Sequence, residues 1–198
     1  MIRQPPRSTL SSSSAASDVY KRQDHCSGNT RLEGDTVVPA FPNAEYWVQR
    51  MEFADAYHPD ARTRGTYLAE NFVPVWKNGQ FRLLHGDTRV TSEVRTVLTR
   101  GHTRGHQSVV LEDGGNPQVL FVSDLASYAI HFARTAWVTA YDVEPLETIT
   151  TKAFWQKWAL ETGATLIFQH DAHIRTGRLV LNERGRMEIE MLTPGSIG

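Results

Sequence analysis

Residues 103 to 124 read TRGHQSVVLEDGGNPQVLFVSD. A Gly-rich tetrad ends on His106, and Asp124 closes the stretch 18 positions later. Between them, Gln107 to Leu111 and Gln118 to Val122 are predicted hairpin partners. The connection, residues 112 to 117, is rich in turn-forming types. His106 therefore precedes one strand and Asp124 follows another. Loops held by a rigid sheet are where site residues usually sit.

Moving outward, two further candidates appear. Asp24-His25 stands near the start, and His170 follows the apolar run Leu166-Ile167-Phe168, 46 positions after Asp124. Carboxylate and imidazole are the donor types that hold zinc, and a carboxylate can bridge two ions. Asp24 and His25 alone are a weak signal, because any Asp-His pair also suits a solvated loop. Their continuation into Cys26-Ser27-Gly28-Asn29-Thr30 strengthens it. Asp124 is read as a bridging ligand, with a helix or turn cap as the competing role.

The remaining pattern alternates strand and helix. Glu45 to Gln49 reads as a short strand and Arg50 to Tyr57 as a helix ended by His58-Pro59. Thr66 to Gln80 is helical or irregular, broken by Pro74 and Gly79. Phe81 to Leu84 and Val94 to Leu98 read as strands with a turn at Gly86-Asp87 between them. Glu144 to Thr162 is the strongest helix, with Leu146, Ile149, Phe154, Trp158 and Leu160 expected on one side and Gly163 at its end. Thr165 to Phe168 is a buried-type strand. Gly177 to Leu181 and Met187 to Leu192 form a last hairpin.

His102 and His106 lie four apart in a repeated Thr-Arg-Gly-His tetrad. That spacing serves one metal only on a helix, and Gly101 and Gly105 argue against helix. His173 reads as a supporting or surface residue; His58, His85 and His131 have no supporting pattern. Tyr128 either presents its phenol to a substrate carbonyl or packs in a core. Trp47, Phe53, Tyr57, Tyr67, Phe72 and Trp76 line a lid or a dimer face, or form plain core.

The first 23 residues read differently. Ser13 to Gln23, SSAASDVYKRQ, resembles an in-frame translation of a transposase adapter used for DNA sequencing libraries, and MIRQPPRSTL resembles its flow-cell counterpart. The alternatives are a Ser-rich tail or a weak targeting peptide. Residues 1–23 are thus expected to be non-native and disordered, with one domain over 24–198. The segment holds four of the 21 basic and one of the 22 acidic residues, so the rest of the chain carries a net charge of −4. That balance gives no footprint for nucleic acid or an anionic membrane, and no apolar run approaches the ~20 residues of a membrane span. The single cysteine, Cys26, excludes an internal disulfide and fits a reducing, cytoplasmic setting.

Together the series Asp24-His25, Thr103-Arg104-Gly105-His106, Asp124 and His170 resembles the metallo-β-lactamase superfamily, and most closely its lactonase-like hydrolases. The resemblance extends through Gly28 to Leu32, the Phe41-Pro42-Asn43-Ala44 turn and the long helix before His170. It implies an α/β fold, a four-layer αβ/βα sandwich, expected here to be incomplete at its N-terminus. The family opens its site with H-x-H-x-D-H, and this chain has only the closing Asp24-His25. It usually has Pro at the positions of Arg100 and Arg104, so the loop carrying His106 is expected to be less stiff. By resemblance, one ion takes two absent histidines, His106 and Asp124. The other takes Asp24, His25, Asp124 and His170, with His106, not His102, as the loop ligand.

The implied chemistry is ester or lactone hydrolysis on a small molecule by metal-activated hydroxide, with Asp24 and Tyr128 as catalytic candidates. Two zinc ions are implied for the intact family and one or none here, with manganese or iron also compatible. The alternatives are a thioester or other dinuclear-metal hydrolase, or a metal-binding fragment without turnover. A homodimer is compatible with the aromatic stretch.

Overall fold

The structure, a computed structural model, describes residues 23–192, with side chains from His25 onward. The segment expected to be non-native lies outside the described residues except for the backbone of Gln23. The chain divides into two compact units, Met1–His85 and Gly86–Gly198.

The first unit begins with α1 (Gln23–Cys26) and a 3-10 turn, Ser27–Asn29. Strands β1 (Thr30–Glu33) and β2 (Thr36–Pro39) form a hairpin. Strand β3 (Tyr46–Gln49) leads directly into α2 (Arg50–Tyr57), as the sequence predicts. The helix stops at His58, because Pro59 disfavours helical geometry in the residue before it. Next come α3 (Val73–Lys77) and β4 (Phe81–Leu84), which pairs parallel with β3. Pro74 does not break a helix here. It occupies the first turn of α3, where its missing N–H has no intrahelical acceptor to lose.

The core of this unit is Cys26, Tyr46, Val48, Ala56, Tyr67, Phe72 and Val75, with Phe53 and Phe81 packed against it. Of the aromatics between the first two candidate ligands, Tyr67 and Phe72 are therefore core. Tyr57 and Trp76 stay partly exposed while flanking Phe53.

The second unit is built on one seven-stranded sheet, in the order β11-β10-β9-β8-β7-β6-β5. The strands are β5 (Thr88–Arg89), β6 (Val94–Leu98), β7 (Gln107–Asp113), β8 (Asn116–Phe121), β9 (Thr165–Ile167), β10 (Thr176–Leu181) and β11 (Met187–Met191). Phe81–Leu84 and Val94–Leu98 are both strands, as the sequence predicts. Val94–Leu98 pairs with the short strand Thr88–Arg89, and Asp87 accepts the Leu98 amide at 2.8 Å. The β7–β8 hairpin is tighter than expected. Asp113 faces Asn116 across Gly114-Gly115, both at positive φ, as a two-residue hairpin loop requires.

All neighbours in this sheet are antiparallel except β8 and β9. Their connection carries α4 (Ala129–Ala133) and α5 (Pro145–Thr162). Gly163 closes α5 in the left-handed region, as predicted. The buried face of α5 differs from the predicted stripe. Leu146 and Phe154 are exposed, whereas Thr148, Lys152, Trp155, Gln156 and Ala159 are buried. The cause is polar: Gln156 Nε2 donates to the Phe132 carbonyl, Thr135 donates to Gln156 Oε1, and Lys152 Nζ donates to the Trp137 carbonyl. This face satisfies backbone groups of the crossover that would otherwise be buried without partners.

Candidate metal centre

The parallel pairing of β8 and β9 brings two predicted ligands together. Phe121 lies opposite Ile167, and Asp124 and His170 each stand three residues further on. The two chains thus leave the sheet side by side at their carboxyl ends, where open α/β sheets commonly place their sites. The result is a contact of 3.1 Å between His170 Nε2 and Asp124 Oδ1. Ser127 Oγ and Gln169 Nε2 approach the same oxygen at 3.4 Å.

Asp124 sits in a 3-10 turn, Ser123–Leu125, and all three residues are buried. Ser123 has φ 55°, the one non-glycine residue with positive φ among the described residues. Backbone strain of this kind concentrates at functional sites.

His106 is fully buried and fixed at both ring nitrogens. Its Nε2 accepts the Asp124 amide at 3.0 Å, which places the ring proton on Nδ1. Nδ1 lies 2.9 Å from the Thr99 carbonyl and 2.6 Å from Thr99 Oγ1. The chain of hydroxyls continues from Thr99 to Ser108 and ends on the Val122 carbonyl. The loop is therefore not loosely held for want of proline: Thr99 and the Asp124 backbone pin His106. Arg104 is exposed.

His102, expected to be a hydrogen-bonded loop residue, is one. Its Nδ1 lies 2.8 Å from Asp142 Oδ1, and both residues are buried. Thr139 Oγ1 donates to the same oxygen at 2.8 Å. Burial alone would raise the Asp142 carboxyl, but hydrogen bonds from His102 and Thr139 outweigh it and hold it below the usual carboxylate range. The other ring nitrogen of His102 lies 3.5 Å from Asp124 Oδ2.

Behind this group, burial pushes the Lys152 ammonium down to about 8, with the Asp142 charge opposing the shift. Asp171 supports His170 from the next position. Its carboxylate accepts the amides of His173, Ile174 and Ala129, at 2.9 to 3.0 Å, which fixes the loop after β9. Those bonds outweigh its own desolvation and keep its carboxyl below the usual range. His173 itself is exposed.

Asp24, His25 and Tyr128 are the other candidates. Asp24 and His25 fall in α1 of the first unit, and the Asp24 side chain lies outside the described residues. His25 is half-buried next to the core residue Cys26. The segment after it is fixed by the Asn29 carbonyl, which accepts from Ala40 N at 2.8 Å and Tyr46 Oη at 3.2 Å. Tyr128 is 45% exposed at the start of α4, its ring edge-on to His131. It is not a core residue.

Sequence reasoning missed Asp142, Thr99 and Gln169. Asp142 lies 40 positions from His102 in an unremarkable loop, so only the fold reveals the pairing. The donors that do converge, a buried carboxylate and imidazoles on either side of it, suit a borderline cation such as zinc. A buried charge is costly unless it is paired or coordinates a metal, so the donor set fits a metal.

No protein-family model matches the chain. It is 27% identical over 146 residues to the N-acyl homoserine lactonase AttM of Rhizobium radiobacter, covering 71% of this chain and 54% of that protein. The chain thus spans about half the length of the curated relatives it matches. Among solved structures, the hydrolase AbOPH of the beta lactamase superfamily superposes with a TM-score of 0.71 at 19% identity, over 88% of this chain and 62% of that one. An N-acyl homoserine lactone hydrolase, solved with the product N-hexanoyl-L-homoserine at its catalytic metal center, gives 0.57 at 26% identity, over 67% and 49%.

Proposed function

We propose that this chain, which has the metallo-β-lactamase fold, carries the site of a metal-dependent hydrolase of small lactones or esters. The carrying observation is the buried Asp124 carboxylate 3.1 Å from His170 Nε2, at the ends of two parallel strands. The similarity to N-acyl homoserine lactonases favours a lactone over other acyl substrates.

The proposed ligands are Asp24, His25, Asp124 and His170 for one ion, with His106 on the other side of Asp124. For His106 to ligate, its Nε2 must give up the Asp124 amide. A bound zinc ion supplies water acidified to near-neutral pKa and polarisation of the scissile carbonyl. Asp124 is held rigid for this task by its own turn and by its neighbours His170, Ser127 and Gln169. His170, whose side chain is 34% exposed, forms the solvent-facing edge through which substrate and water reach the carboxylate. Tyr128 donates its exposed phenol hydrogen toward the substrate carbonyl oxygen.

The sequence before Asp24 holds Tyr20 and Arg22 where the H-x-H half of the family motif would stand. Lactone opening by the chain as it is should therefore be slow and accompany about one tightly held ion. The double substitution Tyr20→His, Arg22→His should bring retained zinc toward two ions. It should also raise ring opening by at least ~10²-fold, the scale of one lost electrostatic stabiliser. Zinc content after dialysis and acid release in a pH-stat assay read both quantities. Retention of no zinc by either form, or hydrolysis indifferent to Asp124→Ala, would overturn the proposal.

A further inference from the structure

The imidazole of His102 has a feature that a structural hydrogen bond does not explain. Nδ1 is committed to Asp142, which also accepts from Thr139 and Thr148. The loop around it is tied to the start of α5, with Val143 N donating to the His102 carbonyl at 3.0 Å and Glu144 N to the Gly101 carbonyl at 2.8 Å. The ring therefore has little freedom. Its Nε2 is buried and has no hydrogen-bond partner among the described residues. That atom faces Asp124 Oδ2 at 3.5 Å.

Two acceptors facing each other in a buried site repel unless something positive lies between them. With a carboxylate at Asp142, the ring proton belongs on Nδ1, and Nε2 presents a lone pair. A proton shared between Nε2 and Oδ2 would draw them to the ~2.7–2.9 Å of a charge-assisted hydrogen bond. The observed separation is longer. Donors at ~2.0–2.1 Å from one tetrahedral zinc stand about 3.4 Å apart. On the opposite oxygen of the same carboxylate, His170 stands at 3.1 Å. Asp124 thus has an imidazole on each oxygen, and one of the two is oriented by a second carboxylate. Carboxylate–histidine pairing of this kind is how proteins orient metal-ligating imidazoles.

We infer that His102 is a metal ligand, holding a cation against Asp124 Oδ2 through Nε2, with Asp142 as its positioning residue. The inference rests on the proposal that Asp124 binds metal. The site has two protein donors, His102 and Asp124, joined by His106 when its Nε2 gives up the Asp124 amide, and leaves the remaining positions to water or to an oxygen of the substrate. His102 then provides a cation contact on the side of Asp124 where the H-x-H histidines are absent.

Zinc titration of the full chain, followed by the ¹⁵N resonances of the histidine rings and by calorimetry, tests this. The His102 Nε2 resonance should shift on adding zinc while its Nδ1 keeps its proton. His102→Ala and Asp142→Asn should each weaken zinc binding roughly 10- to 100-fold. His102→Gln, which keeps a polar side chain of similar length, should not restore it. If the Nε2 resonance is unmoved and His102→Ala binds zinc like the parent, while His170→Ala loses it, His102 is a structural residue and the inference fails alone. If Asp124→Ala and His170→Ala also leave zinc binding unchanged, the metal-hydrolase proposal fails with it. Because the ring resonances are read on the unsubstituted chain, a variant that does not fold leaves the test intact.

Discussion

Lys152 shows how single residues in this molecule trade stability for order. It is fully buried on α5, donates to the Trp137 carbonyl, and titrates near 8. An unfolded lysine titrates near ~10.4. Below pH 8 both states are protonated, and the fold carries the whole cost of a buried ammonium. Between 8 and ~10.4 the unfolded chain holds more protons, so stability rises with pH. The urea midpoint of the parent protein should therefore climb between pH 7.5 and 9.5 relative to that of Lys152→Met. Parallel profiles would show that the ammonium is not paying a burial cost. Glu112 gives the opposite sign at acid pH. Its burial favours the neutral acid, but hydrogen bonds from Arg89 at 2.7 Å and Arg95 at 3.2 Å hold its carboxyl below the usual range. Its contribution is present above ~4.3, the unfolded value, and fades as pH falls through the lower folded one. Glu112→Gln should flatten the acid limb of the stability curve.

Between elements, a tight fit lies where the histidine loop meets α5. Gly101 has φ 132°, a region closed to side chains, and a Cβ there would lie 2.3 Å from the Thr148 backbone nitrogen. Gly101→Ala should cost roughly 1–3 kcal/mol or more, from overpacking and backbone strain together, and should displace His102 from Asp142. Gly65, with no atom within 4 Å of its virtual Cβ, is the control. Gly65→Ala should change the thermal midpoint little, and equal losses at both sites would contradict this packing account. Such contacts mark the limit of what the sequence shows. Strands and hairpins were legible because their signals are local: β-rich runs around Gly114-Gly115, and a glycine after α5. Asp124 and His170 were legible because each follows an apolar run. The inner face of α5 was not, because Thr148, Lys152 and Gln156 are buried by backbone groups of the crossover rather than by apolar periodicity. The short strand Thr88–Arg89 was not legible because two residues carry almost no pattern. Asp142 was missed because a pairing across 40 residues leaves no trace in spacing.

For the molecule as a whole, the proposed centre makes stability depend on metal. A cation that binds only the folded chain stabilises it by ~2.7 kcal/mol at a hundredfold excess over its dissociation constant. For a chain of this length, that corresponds to a rise of ~5–10 °C in melting temperature. Without the cation, the fold must keep the Asp124 carboxylate buried between His170 and His102, and burying a charge is costly. Chelator-treated protein should therefore melt lower and regain the loss when zinc is added back. Asp124→Asn separates the two contributions. The neutral amide removes the buried charge, so the metal-free variant should melt no lower than the metal-free parent, yet zinc should no longer raise its midpoint. Calorimetric scans of both proteins, with chelator and with zinc, distinguish the cases. An equal zinc-induced rise in parent and variant would place the stabilising cation away from Asp124 and remove the carboxylate from the centre of the proposed site.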